Sequence, residues 1–263
     1  MTKAKTVPSA AERNKVISQM LRIKGSIKVS ELQEFLGVSD MTVRRCLNEM
    51  ANDGLLRRVH GGAVALNAAD RYFSFPARLA ENRDAKMRLS EEAVDLVPMD
   101  GSIYLDGGTT CFMVAKQLGV SGKRCLVVTD SMAVAVELND KPGLDTLLMG
   151  GQLSGDNNTL DGPLTAEIAA KFSVDLAITS ASSFSTEQVE VRAMAGVLAK
   201  KVIIQRAAKV MCVADSTKYD KQSCFRFCGW DEIDLFVTDS RLPDNAAKEI
   251  AGKGVELHVV HIE

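Results

Sequence analysis

"VSDMTVRRCLNEM" runs from Val38 to Met50, and its reading decides what the front of the chain is. Val43, Leu47 and Met50 recur at i, i+4 and i+7, the spacing of one apolar helix face. Ser39 or Asp40 stands where an N-cap is favoured, and Asp53-Gly54 supplies the stop. The opening turns carry Ser39, Met41, Thr42, Arg44 and Arg45.

The flanking segments supply a context. "VSELQEFLG" (Val29–Gly37) reads as a short helix with Ser30 as its cap, Leu32, Phe35 and Leu36 inward and Gly37 closing it. Another helix precedes it, with Ser9 and Glu12 at the two positions of a capping box, Val16, Ile17, Met20, Leu21 and Ile23 apolar, and Gly25 at the end. Two short helices joined by a tight Gly-containing turn, the second polar at its start, match a helix-turn-helix. In that geometry the second helix enters the major groove by its N-terminal end. Arg bonds guanine bidentately, Ser and Thr reach phosphate or bases, and an apolar side chain such as Met41 touches a thymine methyl.

"LLRRVHGGAVAL" follows. Leu55–Val59 and Ala63–Leu66 are expected to pair as two strands around His60-Gly61-Gly62, forming a wing. Arg57 and Arg58 fall on opposite faces of such a strand, which leaves one of them for DNA, with His60 at the tip. Taken singly, each feature also fits a small packing module with solvated arginines. Helix, turn, basic helix and basic wing in succession favour recognition of double-stranded DNA. Residues 1–66 carry 11 Lys and Arg against 6 Asp and Glu, a net charge of +5, whereas residues 67–263 carry −7. A basic head on an acidic body is the distribution expected when the head meets a polyanion.

The remaining composition sets limits. Apolar residues make up 46% of the 263 and aromatics only 5%, so the core is expected to be aliphatic. No apolar run has the length of a bilayer span and the first residues lack a secretion signal, so a cytoplasmic protein is expected. The six cysteines are scattered without a CxxC, and there are three histidines. That inventory points to reduced thiols and to no metal or other cofactor.

Residues 67–83, "NAADRYFSFPARLAENR", show little periodicity and read as a linker, or as an arm docking through Tyr72, Phe73 and Phe75. A helix is expected over 84–97. From Gly101 strands and helices alternate: "SIYLDGGTT", "RCLVVTDS", "LDTLLMGG", "VDLAITSA", "KVMCVADS", "EIDLFVTDS" and "VELHVVHIE" hold the strands. Helices are expected between them, including "PLTAEIAAKF" and "AKKVIIQRAA". The strands are near-continuous apolar runs, as in a sheet buried on both faces. Residues 84–263 are therefore expected to form an α/β domain with a mostly parallel sheet. Ligand clefts in such sheets lie beyond the carboxyl ends of the strands. Asp106-Gly107-Gly108-Thr109-Thr110, Thr129-Asp130-Ser131, Gly150-Gly151 and Lys218 all follow strands. Glycines admit an anion to backbone N–H groups, and a helix N-terminus adds positive potential. One such loop is as well explained as an ordinary strand-to-helix turn; several in one domain favour a site.

At this point the chain resembles the DeoR family of bacterial sugar-metabolism regulators. "VSDMTVRRCLNEMANDGLLRRVHGGAV" is similar to its helix-turn-helix and wing signature. "YLDGGTT", "VVTDS", "LLMGG" and "VADSTKY" resemble successive motifs of its C-terminal sensor. The resemblance implies a sensor similar in fold to ribose-5-phosphate isomerase. It also implies a repressor of a carbohydrate operon relieved by a phosphorylated sugar, and a homo-oligomer on operator DNA. Asp106–Thr110 would hold the effector, with Thr129, Ser131, Gly150 and Gly151 around it and Lys218 supplying charge. Three departures stand out. Cys46 replaces an Asp that would orient Arg44 or Arg45. Asp130 replaces an Asn, placing a carboxylate beside the expected phosphate or against sugar hydroxyls. "SASSFSTEQVEV" lacks the family's glycines, and Gly196 stands where an acidic residue is common.

A competing reading is a sugar-phosphate isomerase or hydrolase using Asp106, Asp130, Asp215 and Lys218. An isomerase has no use for a DNA-reading head, and none of the strand-end motifs holds a histidine, so the regulator is the favoured expectation.

Overall fold

Ser9 caps the first helix as the sequence leads one to expect. Its hydroxyl accepts from the Glu12 N–H and Glu12 accepts from the Ser9 N–H, closing a capping box on α1 (Ala10–Lys24). The structure, a computed structural model, describes residues 9–65, 75–154, 159–192, 194 and 196–262. The chain divides into two compact units, Met1–Glu81 and Asn82–Glu263.

In the first unit, Gly25 takes the left-handed conformation that ends α1. A short strand β1 (Ser26–Lys28), α2 (Val29–Leu36) and α3 (Asp40–Asn52) follow. β2 (Leu56–Val59) and β3 (Gly62–Ala65) form the hairpin, with His60-Gly61 as its turn, and β1 pairs with β3 to complete a three-stranded antiparallel sheet. Leu66, expected in the second wing strand, lies outside the described residues. Ile17, Leu21, Leu32, Leu36, Val43, Leu47 and Met50 form the core with Cys46. Each buried Leu stabilises this small core by about 1.5–3 kcal/mol.

Two expectations are corrected here. Ser30 is not the cap of α2: the helix begins one residue earlier, Lys28 occupies the cap, and Glu31 accepts from the Lys28 N–H at 2.9 Å. Phe35 does not face inward and is 63% exposed. Leu32 is the buried centre of the stripe, and both i+3 and i+4 flank it; packing takes Leu36 at i+4.

The segment read as a linker carries a helix, α4 (Phe75–Ala80), in its described part. Tyr72 and Phe73 lie outside the described residues. In the second unit α5 (Arg83–Asp95) leads into β4 (Gly101–Leu105), α6 (Thr109–Leu118), β5 (Cys125–Thr129), α7 (Met132–Leu138) and β6 (Leu144–Leu148). Beyond it lie β7 (Gln152–Ser154), β8 (Thr159–Asp161), α8 (Pro163–Ala169), β9 (Leu176–Ser180), β10 (Ser183–Phe184) and β11 (Gln188–Val191). The chain then runs through α9 (Val197–Ile204), β12 (Lys209–Val213), β13 (Phe225–Gly229), β14 (Leu235–Asp239), α10 (Asp244–Ala251) and β15 (Glu256–Val260).

Seven of these strands make one parallel sheet in the order β15-β14-β12-β9-β4-β5-β6. They are the seven apolar runs of the sequence. The two faces hold two separate cores, one around Tyr104, Phe184, Phe227, Trp230 and Phe236, the other around Leu89, Ile103, Val114, Val127 and Ile178. The β7–β8 hairpin and the small antiparallel sheet β10-β11-β13 are additions that the apolar pattern does not announce. The chain builds outward through β4, β5 and β6, then returns to place β9 on the other side of β4 and builds outward again. The order reverses between β4 and β9, the topological switch point at which open α/β sheets bind ligands.

Candidate functional sites

In the first unit the reading helix is α3. Ser39 caps it, its hydroxyl accepting from the Thr42 N–H and sharing a 2.9 Å hydrogen bond with the Thr42 hydroxyl. The inward face is spent on Val43, Cys46, Leu47 and Met50. Met41, Arg44 and Arg45 are exposed on the other side, Met41 to 81%. Asp40 accepts from Arg44, and Glu49 lies 3.8 Å from Arg45, each pair one helical turn apart. These exposed pairs are weak and interchange readily with phosphate or base contacts.

Cys46 does not face these arginines. It is buried, and the Arg13 Nε–H donates to its Sγ at 3.4 Å. The residue at this position acts on α1, and Arg44 takes its carboxylate from Asp40 instead.

In the wing, Arg57 is exposed while Arg58 is half-buried and donates from Nη1 to the Gly62 carbonyl at 2.8 Å. Arg58 closes the hairpin, and Arg57 and the exposed His60 are left facing solvent. Gly62 is required where it stands, because a Cβ there would lie 2.2 Å from the Ile27 carbonyl oxygen of the neighbouring strand.

In the second unit the predicted residues gather at the strand ends, around a residue the sequence did not single out. Lys200 of α9 reaches Asp106 at 2.8 Å, with both side chains largely buried. Asp106 also accepts from the N–H and hydroxyl of Ser180, each at 3.3 Å, and from the Thr179 hydroxyl at 3.5 Å. Asp106 directly follows β4 and Ser180 ends β9, so this network spans the switch point. Burial alone would depress Lys200; the Asp106 charge and hydrogen bond outweigh it and hold the ammonium above its usual range.

Gly107 and Gly108 are close-packing positions as much as a cradle. A Cβ on Gly107 would meet Thr159 Cγ2 at 2.1 Å, and one on Gly108 would meet Ser180 Oγ at 2.0 Å. Gly108 caps α6, whose first turn buries Thr109 and Thr110, and the Thr110 hydroxyl has no hydrogen-bond partner among the described residues. Thr129 and Ser131 spend their side chains locally. Thr129 donates to the Leu105 carbonyl at 2.6 Å, and Ser131 caps α7. Gly150 and Gly151 sit against α8, where a Cβ would meet Ile168 and Thr165. Lys218 closes a 3₁₀ turn and donates from Nζ to the Ala181 carbonyl at 2.6 Å.

Asp130 is unlike the other strand-end acids. Asp239 accepts from Ser216 and from the Arg241 N–H, and Asp215 accepts from Asn82 and Thr217. Asp130 is 1% exposed, and neither side-chain oxygen has a partner among the described residues. The Tyr104 hydroxyl, also buried, lies beside it and favours the ionised carboxyl. Burial, then the charge of Asp106, raise the Asp130 carboxyl to about 7, with Lys200 opposing them. A Cβ on Gly107 would lie 3.6 Å from Asp130 Oδ1, and one on Gly196, at φ +76°, 3.5 Å from Oδ2. The departures at 130 and 196, remote in sequence, are neighbours in space.

Residues missed from sequence are Lys200, Ser180 and Tyr104. Lys200 lies beside Lys201 in the otherwise apolar "VLAKKVII", and a cation amid so apolar a stretch was the available signal. Among the described residues no group of three or more His, Cys, Asp or Glu could hold a metal ion, and no helix is long and apolar enough to cross a membrane.

Comparison with known proteins agrees with this architecture. Residues 13–69 match the DeoR-like helix-turn-helix domain, and residues 81–240 match the DeoR C terminal sensor domain. The HTH-type transcriptional regulator GlpR of Haloferax volcanii is 31% identical, over 93% of this chain and 96% of its own length. The L-fucose operon activator of Haemophilus influenzae is 30% identical over 90% and 94%. The HTH-type transcriptional repressor GlcR of Bacillus subtilis is 29% identical over 94% and 95%. Ribose 5 phosphate isomerase A from Neisseria gonorrhoeae overlaps 53% of this chain and 54% of its own at a TM-score of 0.40 and 20% identity, a partial likeness. With both domain models matched in order and relatives aligned along nearly the whole length, the chain belongs to the DeoR family of helix-turn-helix transcriptional regulators.

Proposed function

We propose that this regulator represses an operon for sugar or carbohydrate catabolism and releases it when a phosphorylated sugar binds at the strand ends of the second unit. The observation that carries the DNA half is the division of α3 between a buried face and an exposed one that presents Met41, Arg44 and Arg45. Ser39, Thr42, Arg57, Arg58 and His60 complete the proposed contact set: Ser39 and Thr42 at the helix start, Arg57 and His60 towards phosphates, and Arg58 through the shape of the wing. Residues 1–66 are the DNA-binding part, 67–83 the connection, and 84–263 the part that binds effector and holds copies together as a homo-oligomer in the cytoplasm.

The effector half is supported by the buried Lys200 at the switch point, together with the glycines and the α6 N-terminus beside it. Asp106, Gly107, Gly108, Thr109 and Thr110 are its centre, with Thr129, Asp130, Ser131, Gly150, Gly151 and Lys218 around it. Relatives include a named repressor and a named activator, so the sign of regulation is part of the proposal. The relatives are regulators, and the protein is a regulator and not an enzyme.

A gel-shift titration on the DNA upstream of its own gene, against a scrambled duplex at moderate salt, tests the first half. Equal affinity for the two overturns it. Release of the bound duplex by a panel of sugar phosphates tests the second half, and a complex unmoved by every member overturns it.

A further inference from the structure

We propose that the effector carries an ammonium group, as an amino sugar does, and that Asp130 is the residue that recognises it. This inference rests on the effector reading of the strand-end site and names the class of ligand that the site takes.

The centre of the site holds two carboxylates, Asp106 and Asp130, against one ammonium, Lys200. Asp106 takes Lys200 at 2.8 Å and three further donors from Thr179 and Ser180. Asp130 is left with two buried oxygens and no donor among the described residues. A buried carboxylate without a partner is costly in a protein that has no use for it. Asp239 shows the ordinary solution, both of its oxygens accepting from Ser216 or the Arg241 N–H, and Asp215 keeps one bonded oxygen, accepting from Asn82 and Thr217.

Asp130 is enclosed, with Gly107, Gly196 and Tyr104 beside it. Both oxygens look onto glycine positions, Gly107 for Oδ1 and Gly196 for Oδ2, where any side chain would come into contact with the carboxylate. The buried Tyr104 hydroxyl lies beside it and interacts with the carboxyl, and it has no other partner among the described residues. Two acceptor oxygens and a phenol oxygen match the three donors of an –NH3+ group, and its charge balances the second carboxylate. A hydroxyl has one donor and no charge, and an ionised phosphate oxygen has no donor and a charge of the wrong sign. Burial and Asp106 hold the carboxyl to about 7, so it is ready to ionise at neutral pH when a cation arrives.

The test uses the full chain and calorimetric titration with matched probes: glucosamine 6-phosphate against glucose 6-phosphate, galactosamine 6-phosphate against galactose 6-phosphate, the unphosphorylated forms of each, and N-acetylglucosamine 6-phosphate. The expected result is that the tightest probe bears a free amine and exceeds its hydroxyl partner by roughly tenfold or more. Asp130→Asn, which preserves shape and removes the charge, should erase that preference, bringing the amine probe and its hydroxyl partner to within about threefold of each other. A hydroxyl probe that binds as tightly as its amine partner overturns the inference but leaves the sugar-phosphate reading standing. An amine preference that survives in Asp130→Asn assigns the recognition elsewhere and also overturns it. If no probe binds, the effector reading of the site falls, and this inference with it.

Discussion

Lys200 Nζ lies 2.8 Å from Asp106 Oδ1, across 94 residues of chain, and that single contact joins α9 to the end of β4 beneath the site. It leaves Asp130, on the adjacent strand end, as the acid without a counter-charge of its own. Several consequences can be measured.

Removing the cation strands two buried acids. Lys200→Met should destabilise the second unit by about 3–5 kcal/mol, the usual cost of breaking a buried pair from one side. Urea unfolding followed by tryptophan fluorescence reads this, since Trp230 is buried in that unit. A loss below about 1 kcal/mol would mean that Asp106 is adequately held by Ser180 and Thr179 alone.

Asp130 acts in the opposite sense. A carboxyl whose folded value is raised from 3.8 to about 7 binds its proton more tightly in the native state. Its contribution is therefore favourable at low pH, and stability declines as pH rises from about 4 through about 7. Asp106, Lys200 and Tyr104 are the titratable groups that act on it. Asp130→Asn should raise the Tm of the ligand-free protein at pH 8 and flatten the decline between pH 5 and 8. A lower Tm at pH 8 would show that the ionised carboxylate is satisfied in solution.

The two wing arginines should separate. Arg57→Ala is expected to weaken binding alike on all duplexes and to reduce the slope of log K against log salt by about one. Arg58→Ala should loosen the hairpin that its bond to the Gly62 carbonyl closes, seen as faster hydrogen exchange in β2 and β3. Identical salt slopes in Arg57→Ala and the parent would remove Arg57 from the interface.

Arg44 is held by Asp40 in the free protein. Arg44→Ala should cost roughly tenfold or more on the operator and relax discrimination at one base pair if it reads guanine. Uniform weakening on every duplex would make it a phosphate contact. Asp40→Ala, which frees the guanidinium, should change affinity less than Arg44→Ala.

Lys218 tests the outer rim of the effector site. Lys218→Ala should leave operator affinity within about twofold and blunt release by effector. Unchanged release would confine Lys218 to its bond with the Ala181 carbonyl.

What the sequence by itself determined is everything encoded locally. Ser9 with Glu12, and Ser39 three residues before Thr42, cap helices through contacts made within one turn. The seven strands of the main sheet are seven apolar runs, and the inner ones are apolar throughout because they are buried on both faces, while β6 and β15 form its edges. His60-Gly61 fixes the wing turn for the same reason: the backbone there needs a positive φ, and Gly61 supplies it at +74°. The strand-end motifs were legible as a group because parallel strands bring their carboxyl ends to one side of the sheet.

Only the tertiary structure decided which member of a local pattern is used and by what. Phe35 and Leu36 are equally placed by periodicity, and packing buried one and exposed the other. Cys46 stands next to Arg45 in sequence, but the 100° step along the helix turns it inward to Arg13. Lys218 has a motif to recommend it, yet Lys200, from a helix legible in the sequence only as a connection between strands, holds Asp106. Asp130 became the exceptional acid only when its neighbours proved to be glycines and its donors proved to be missing. Caps, turns and apolar runs are settled by residues within a few positions of one another; ion pairs and burial depend on which distant segments share a space, and that is set by the order of the strands in the sheet.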